Sequence, residues 1–191
     1  MMRIITGSAR GVRLDAPAGR DTRPTTERAK EGVFSYLQFE LDGRRVLDLF
    51  AGSGQMGLEA LSRGADSAVF VDMSPEAVNC IRKNIEKARM GGRATVRQED
   101  YARFLGRADG DRFGLVFLDP PYAMRVFDGI LESLSKNGCL AADARIVIES
   151  DREDLFGGGQ TLPQGYRLRR HLRYGICHFD VLDYDPERGT I

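Results

Sequence analysis

Val46-Leu47-Asp48-Leu49-Phe50-Ala51-Gly52-Ser53-Gly54-Gln55-Met56-Gly57 decides the fold. Its first five residues are a short apolar run broken by one carboxylate, which reads as a buried strand. Three glycines in a Gly-x-Gly-x-x-Gly spacing then allow a tight turn and a close backbone approach. A helical pattern follows through Leu58, Ala60 and Leu61 and ends near Gly64. Strand, glycine turn and helix in this order open an α/β unit that receives a ligand at its turn.

Outward from that unit the alternation continues. Ala68 to Asp72 is a second strand, and Ser74 caps a helix with Pro75 at its first position. That helix buries Val78, Ile81 and Ile85 and is expected to end at Gly91-Gly92. Ala94 to Arg97, Leu115 to Leu118 and Arg145 to Glu149 give three more strands. A helix over Ile130, Leu131 and Leu134, closed by Gly138, joins the last two. Alternating strands and helices specify an α/β fold with a mostly parallel sheet. Tyr166–Tyr174 and Ile176–Tyr184 meet at Gly175 with no helix between, so they close the sheet as an antiparallel pair. At the front, Arg3–Ile5 and Gly11–Leu14 read as a small hairpin, and a helix from about Thr26 buries Val33, Phe34 and Leu37. The expected organisation is an extension over residues 1–40 followed by one catalytic domain over 41–191.

At 191 residues, 42% of them hydrophobic, the chain suits one globular domain with a small extension. It has no apolar run of the roughly 18–20 residues that span a bilayer, and Met1-Met2-Arg3-Ile4-Ile5-Thr6-Gly7 lacks a signal-peptide apolar region, so no membrane role and a cytoplasmic location are expected. Cys80, Cys139 and Cys177 stand far apart beside only His171 and His178, which argues against a zinc site or a disulfide framework. Twenty-eight basic and twenty-eight acidic residues cancel. Their distribution is uneven: residues 1–30 hold Arg3, Arg10, Arg13, Arg20, Arg23, Arg28 and Lys30 against three acidic residues. A second basic cluster is Arg167, Arg169, Arg170, His171 and Arg173. Such clusters can neutralise phosphates, or can be ordinary solvated surface.

The glycine turn alone fits a nicotinamide dinucleotide as well as an adenosyl cofactor, and Asp72, placed to accept ribose hydroxyls, fits both. Asp48 separates them. A carboxylate just before the turn would repel a pyrophosphate but can hold the cationic amino-acid part of S-adenosylmethionine (SAM). Asp100, after the third strand, is placed to accept the adenine N6 amine. After the fourth strand, Asp119-Pro120-Pro121-Tyr122 forms a stiff ledge with one carboxylate, free carbonyls and one ring. A ledge that only accepts hydrogen bonds suits the exocyclic amine of a nucleobase, which the Tyr122 ring can stack upon. Together these residues specify a SAM-dependent amino-methyltransferase with no metal. The alternatives are a DNA adenine-N6 or cytosine-N4 enzyme, a nicotinamide-dependent oxidoreductase, or a non-catalytic RNA-binding protein on a SAM fold.

Asp48-Leu49-Phe50-Ala51-Gly52-Ser53-Gly54 and Gly57-Leu58-Glu59-Ala60-Leu61-Ser62-Arg63-Gly64-Ala65 closely resemble the RsmD family of bacterial 16S rRNA guanine-N2 methyltransferases. So do Arg3-Ile4-Ile5-Thr6-Gly7 and Arg23-Pro24-Thr25-Thr26-Glu27-Arg28, and the likeness runs from residue 3 to about 184. The resemblance implies a seven-stranded Rossmann-like methyltransferase that modifies one guanine, position 966, in the small-subunit RNA. It implies cofactor contacts from Asp48, Ala51, Gly52, Gly54, Asp72 and Asp100. Phe50, Met73 and Tyr101 beside them are expected to join, and the segment from Arg23 to Thr26, with Thr25 and Thr26, is expected to close over the pocket beside Tyr122. Asp119, Pro120, Pro121 and Tyr122 would grip the base, while the positive charge of the front segment leads us to expect that Arg10, Arg13, Arg23 and Arg28 meet RNA phosphates. The implied partner is 16S rRNA in the small ribosomal subunit or an assembly intermediate, approached by a monomer. Gln55-Met56 departs from the smaller residues often found in the loop, and the C-terminal tail diverges.

Overall fold

The computed structural model describes residues 2–17, 25–107, 110, 112–120, 126–153, 155–156 and 162–187. In chain order the elements are α1 (Glu27–Tyr36), β1 (Arg45–Leu49), α2 (Gln55–Ser62), β2 (Ser67–Asp72), α3 (Pro75–Ala88), β3 (Ala94–Gln98), α4 (Tyr101–Leu105), β4 (Phe113–Leu118), α5 (Phe127–Lys136), β5 (Leu140–Ser150), β6 (Tyr166–Tyr174) and β7 (Cys177–Tyr184). Seven strands form one sheet in the order β3-β2-β1-β4-β5-β7-β6. The first five are parallel; β7 runs antiparallel to β5, and β6 in turn runs antiparallel to β7. This is the fold class that the alternation of strands and helices specified.

Both faces of the sheet are covered, so the central strands are near-continuous apolar runs rather than alternating, with carboxylates at or near their ends. One face buries Phe34, Leu58, Phe70, Ile81, Phe117 and Val147; the other buries Leu47, Leu49, Leu118, Ile130, Leu131 and Ile148. α1 reaches the first face because Gly32 has no side chain: a β-carbon there would lie 2.1 Å from the Tyr174 ring. Ile4, Ala9 and Leu14 of the front segment join the same cluster. The hairpin there is a single bridge, Arg3 to Arg13. It is fastened through Glu59 of α2, which accepts from the amides of Ile5 (2.8 Å) and Thr6 (3.1 Å). Lys30 stands 3.5 Å from that carboxylate in a fully buried pair and also donates to the Arg3 carbonyl.

Two elements differ from the expectations. α3 stops at Ala88, because Arg89 takes a left-handed conformation (φ 55) and its amide bonds back to the helix; Gly91-Gly92 begin a short 3-10 turn instead. α4 is an added helix of five residues, too short to show an apolar period, and Asp100 caps it.

Candidate functional site

The parallel strands end on one edge of the sheet, where open α/β sheets place their ligands. Each contributes a carboxylate there. Asp100 follows β3, Asp72 ends β2, Asp48 lies in β1, Asp119 follows β4 and Glu149 stands near the end of β5. The sequence singles out four of these; Glu149 reads there only as the end of a strand.

The turn after β1 is built by three residues with positive φ at alternate positions: Phe50 (68), Gly52 (56) and Gly54 (76). For phenylalanine this conformation is strained. The Ala51 amide bonds to the Val71 carbonyl at 3.0 Å, which ties the turn to β2. The glycines divide in purpose. A β-carbon on Gly57 would meet the Phe70 ring at 2.4 Å, and one on Gly54 would meet it at 3.3 Å, so both serve helix–sheet packing. A β-carbon on Gly52 would meet nothing nearer than the Phe50 carbonyl oxygen at 3.9 Å, so that side of its backbone faces open space. Gly54 caps α2 without a side-chain hydrogen bond, and amides of the first turn remain for other acceptors.

Asp48 is buried and accepts from the Gly57 amide at 2.9 Å. Desolvation, reinforced by Asp119 and Asp72 and opposed by that hydrogen bond, pushes its carboxyl up to about 7. Asp72 is buried as well; Oδ2 accepts from Gly52 and Oδ1 from Ser74, each at 2.9 Å. Those bonds aim its carboxylate at the turn. Asp100 uses Oδ1 to cap α4 through Ala102 (2.8 Å) and Arg103 (3.4 Å). The Phe50 and Tyr101 rings lie 5.1 Å apart, and Met73 is 68% exposed just past Asp72. These side chains offer apolar surface beside Asp72 and Asp100.

Asp119 is exposed as a residue, yet the protein packed around its carboxyl pushes it up to about 6. Pro120 behind it is buried. Pro121, Tyr122 and Arg23 lie outside the described residues. Glu149 is 5% exposed, and burial together with the Asp119 charge raises its carboxyl to about 8. Thr25 Oγ1 donates to Glu149 Oε2 at 2.5 Å, which brings the start of α1 to the same edge of the sheet. Thr26 caps α1 through the Ala29 amide.

No cation of the described residues stands among the groups that act on Asp48, Asp119 or Glu149. Desolvated carboxyls of one sign, beside an open glycine backbone, fit a ligand that carries positive charge and donates hydrogen bonds. They oppose a pyrophosphate. SAM, with a sulfonium, an ammonium, ribose hydroxyls and an adenine amine, has the matching chemistry. Among the described residues no group of three metal-ligating side chains forms.

The basic clusters differ. Arg167 pairs with Asp183, Arg169 with Glu40 (3.0 Å) and Arg173 with Glu153 (2.8 Å), so much of the C-terminal cluster is neutralised within the fold. In the front segment Arg3 pairs with Glu27 and Lys30 with Glu59. Arg10, Arg13 and Arg28 are exposed and have no ion pair among the described residues. On β6 and β7, His171 bonds Asp180 (2.7 Å) and His178 (3.2 Å), a part-buried polar chain that the spacing of two histidines does not reveal.

The family described as Conserved hypothetical protein 95 matches residues 2–182. The Ribosomal RNA small subunit methyltransferase D of Escherichia coli K12 is 36% identical over 169 residues, 88% of this chain and 83% of that protein. Its Haemophilus influenzae namesake is 32% identical over 93% of this chain and 91% of its own. The solved structure of Escherichia coli yhhF is 33% identical and has a TM-score of 0.83, covering 96% of this chain and 98% of that one. A ribosomal protein L11 methylase from Lactobacillus delbrueckii shares the fold at a TM-score of 0.69 and 20% identity, over 91% of this chain and 85% of that one.

Proposed function

Because the chain belongs to the RsmD family, described as Conserved hypothetical protein 95, we propose that it transfers a methyl group from SAM to the N2 amine of guanine 966 in 16S rRNA. The acceptor is the small ribosomal subunit or an assembly intermediate, in the cytoplasm, and the enzyme acts as a monomer. The observation that carries the chemistry is the row of carboxylates along the strand ends, three of which, Asp48, Asp119 and Glu149, are desolvated and have no counter-cation among the described residues.

In this reading Asp48 holds the cofactor's cationic amino-acid part and the open backbone at Ala51, Gly52 and Gly54 lies along it. Asp72 accepts the ribose hydroxyls, and Asp100 takes the adenine amine with its second oxygen. Phe50, Met73 and Tyr101 flank the adenine, and Thr25 and Thr26 cover the pocket. When bound, SAM supplies a methyl activated by the sulfonium charge. Asp119 and the Pro120 carbonyl accept hydrogen bonds from the guanine amine and hold its nitrogen in line. Such alignment can account for roughly 7–11 kcal/mol of a barrier. Asp119 need not be a strong base, because the amine's proton can leave once the new bond has formed. Extruding the guanine costs a few kcal/mol, and stacking on Tyr122 can return about 1–3 kcal/mol. Residues 1–40 form the RNA-side extension, with Arg10, Arg13, Arg23 and Arg28 toward phosphates.

The test is methyl transfer from tritiated SAM to small subunits and naked 16S rRNA from a strain lacking the gene, with duplex DNA as control. The modified base is then mapped. Label at guanine N2 is the expected result. Label on DNA adenine or cytosine would favour the DNA enzyme instead.

A further inference from the structure

Glu149 has no part in the reaction above, and its surroundings give it one. It stands one residue past Ile148, as Asp119 stands one past Leu118, and Leu118 and Ile148 are register partners in the parallel pair β4–β5. Phe117 and Val147 pack on the α1 face of the sheet, while Leu118 and Ile148 pack on the other. Alternation therefore turns Asp119 and Glu149 to the α1 face, on strands about 4.8 Å apart. Thr25 donates to Glu149 Oε2 from the front segment, and the Cys177 thiol hydrogen-bonds it from β7. Asp119 acts on it electrostatically from just past β4, and Asp48 on β1 lies beyond Asp119. Two carboxylates so placed, with only neutral donors around the second, are not both charged at low cost.

We propose that Glu149 is a positioning residue for the methyl transfer: its protonated carboxyl donates to Asp119, fixing which oxygen of Asp119 meets the substrate amine. The inference rests on the methyl-transfer reading. Thr25 holds Oε2, so Oε1 carries the shared proton. Burial and Asp119 raise Glu149 to about 8, so the proton stays through neutrality and leaves in mildly alkaline solution. Two adjacent anions then repel, Asp119 loses its donor, and turnover falls.

The experiment follows kcat of the full chain on small-subunit RNA from pH 6.5 to 9.5 at saturating SAM, with folding checked by circular dichroism. Glu149→Gln keeps a donor that cannot ionise, so the alkaline limb should vanish and the ratio of kcat at pH 9 to pH 7 should rise about threefold or more. Its KM for SAM should stay within about twofold, since a uniform binding contact is not removed. Thr25→Val removes a hydrogen bond that favours the charged form, so its limb should move to higher pH. A limb unmoved in both variants, with an active parent, overturns the inference alone. A KM for SAM that rises in Glu149→Gln while kcat holds also overturns it, by assigning Glu149 to the cofactor pocket. If Glu149→Gln fails to fold, the direction of the Thr25→Val shift decides. A parent that methylates no RNA at any pH overturns the methyl-transfer reading and this inference with it.

Discussion

The Gly57 amide donates to Asp48 Oδ2 at 2.9 Å, into a carboxyl that is otherwise desolvated between strand and helix. A carboxyl raised to about 7 in the folded protein holds its proton where the unfolded chain has lost it. Stability from this group is therefore full at low pH and declines as pH rises from about 4 through 7. Asp119 and Glu149 are raised too and add to the same trend. The unliganded protein should lose melting temperature from about pH 5 to pH 8, and Asp48→Asn should flatten that loss. Scanning calorimetry at a series of pH values measures it, and an identical slope in the variant would remove Asp48 from the cause.

The same protonation couples to the cofactor. A sulfonium and an ammonium favour the ionised carboxylates, so SAM binding should release protons near neutrality. Its affinity should rise as pH goes from about 6 to 8 and then level off. S-adenosylhomocysteine keeps the ammonium but lacks the sulfonium charge, and its affinity should rise less. Titration calorimetry in two buffers of different ionisation heat counts the protons. Proton uptake on SAM binding would contradict the placement of its positive charge beside Asp48.

Gly57 and Gly52 should fail in different ways when replaced by alanine. At Gly57 the new methyl meets the Phe70 ring at 2.4 Å and Asp48 at 3.2 Å. Overpacking of this kind costs about 1–3 kcal/mol, so the loss should appear first in melting temperature. At Gly52 the space is open but φ is +56, which costs an alanine roughly 1 kcal/mol, and in the proposed reading the methyl would crowd the cofactor. Its loss should exceed that cost when read as SAM affinity. Equal ratios of stability loss to affinity loss would show that the two glycines share one role.

The sheet was legible because its strands are apolar runs bounded by turn residues; Asp72, Asp100 and Asp119 stand out as candidates because each lies at or just past the end of such a run, and Asp48 because it interrupts one. What stayed hidden depends on contacts distant in sequence. Glu149 reads as any polar strand end until the register sets it beside Asp119 and Thr25 reaches it across 124 positions. Phe50 gives no sign of a left-handed conformation, since its glycine neighbours explain the turn by themselves. Asp100 reads as a free acceptor, while half of its carboxylate caps α4. The arginines of β6 read as a patch because Glu40, Glu153 and Asp183, which neutralise three of them, lie on other segments.

That difference in pairing separates the two basic clusters by experiment. Arg10 and Arg13 are exposed and carry no ion pair among the described residues, so they can release counterions when they meet phosphates. Replacing both by alanine should lower RNA affinity and reduce the log–log salt slope by about 0.7–0.9 for each phosphate left without its arginine. SAM binding and melting temperature should hold, and methylation should recover at high RNA concentration because the reacting groups are untouched. Arg169 behaves otherwise. Its guanidinium lies 3.0 Å from Glu40 and 5.7 Å from the Tyr36 ring centre, tying β6 to the end of α1. Arg169→Ala should cost stability, up to about 1 kcal/mol for a partly exposed pair, and leave the salt slope unchanged. Fluorescence anisotropy of labelled RNA over a salt series gives the slopes. A larger drop in slope for Arg169→Ala than for the front pair would move the RNA surface to β6.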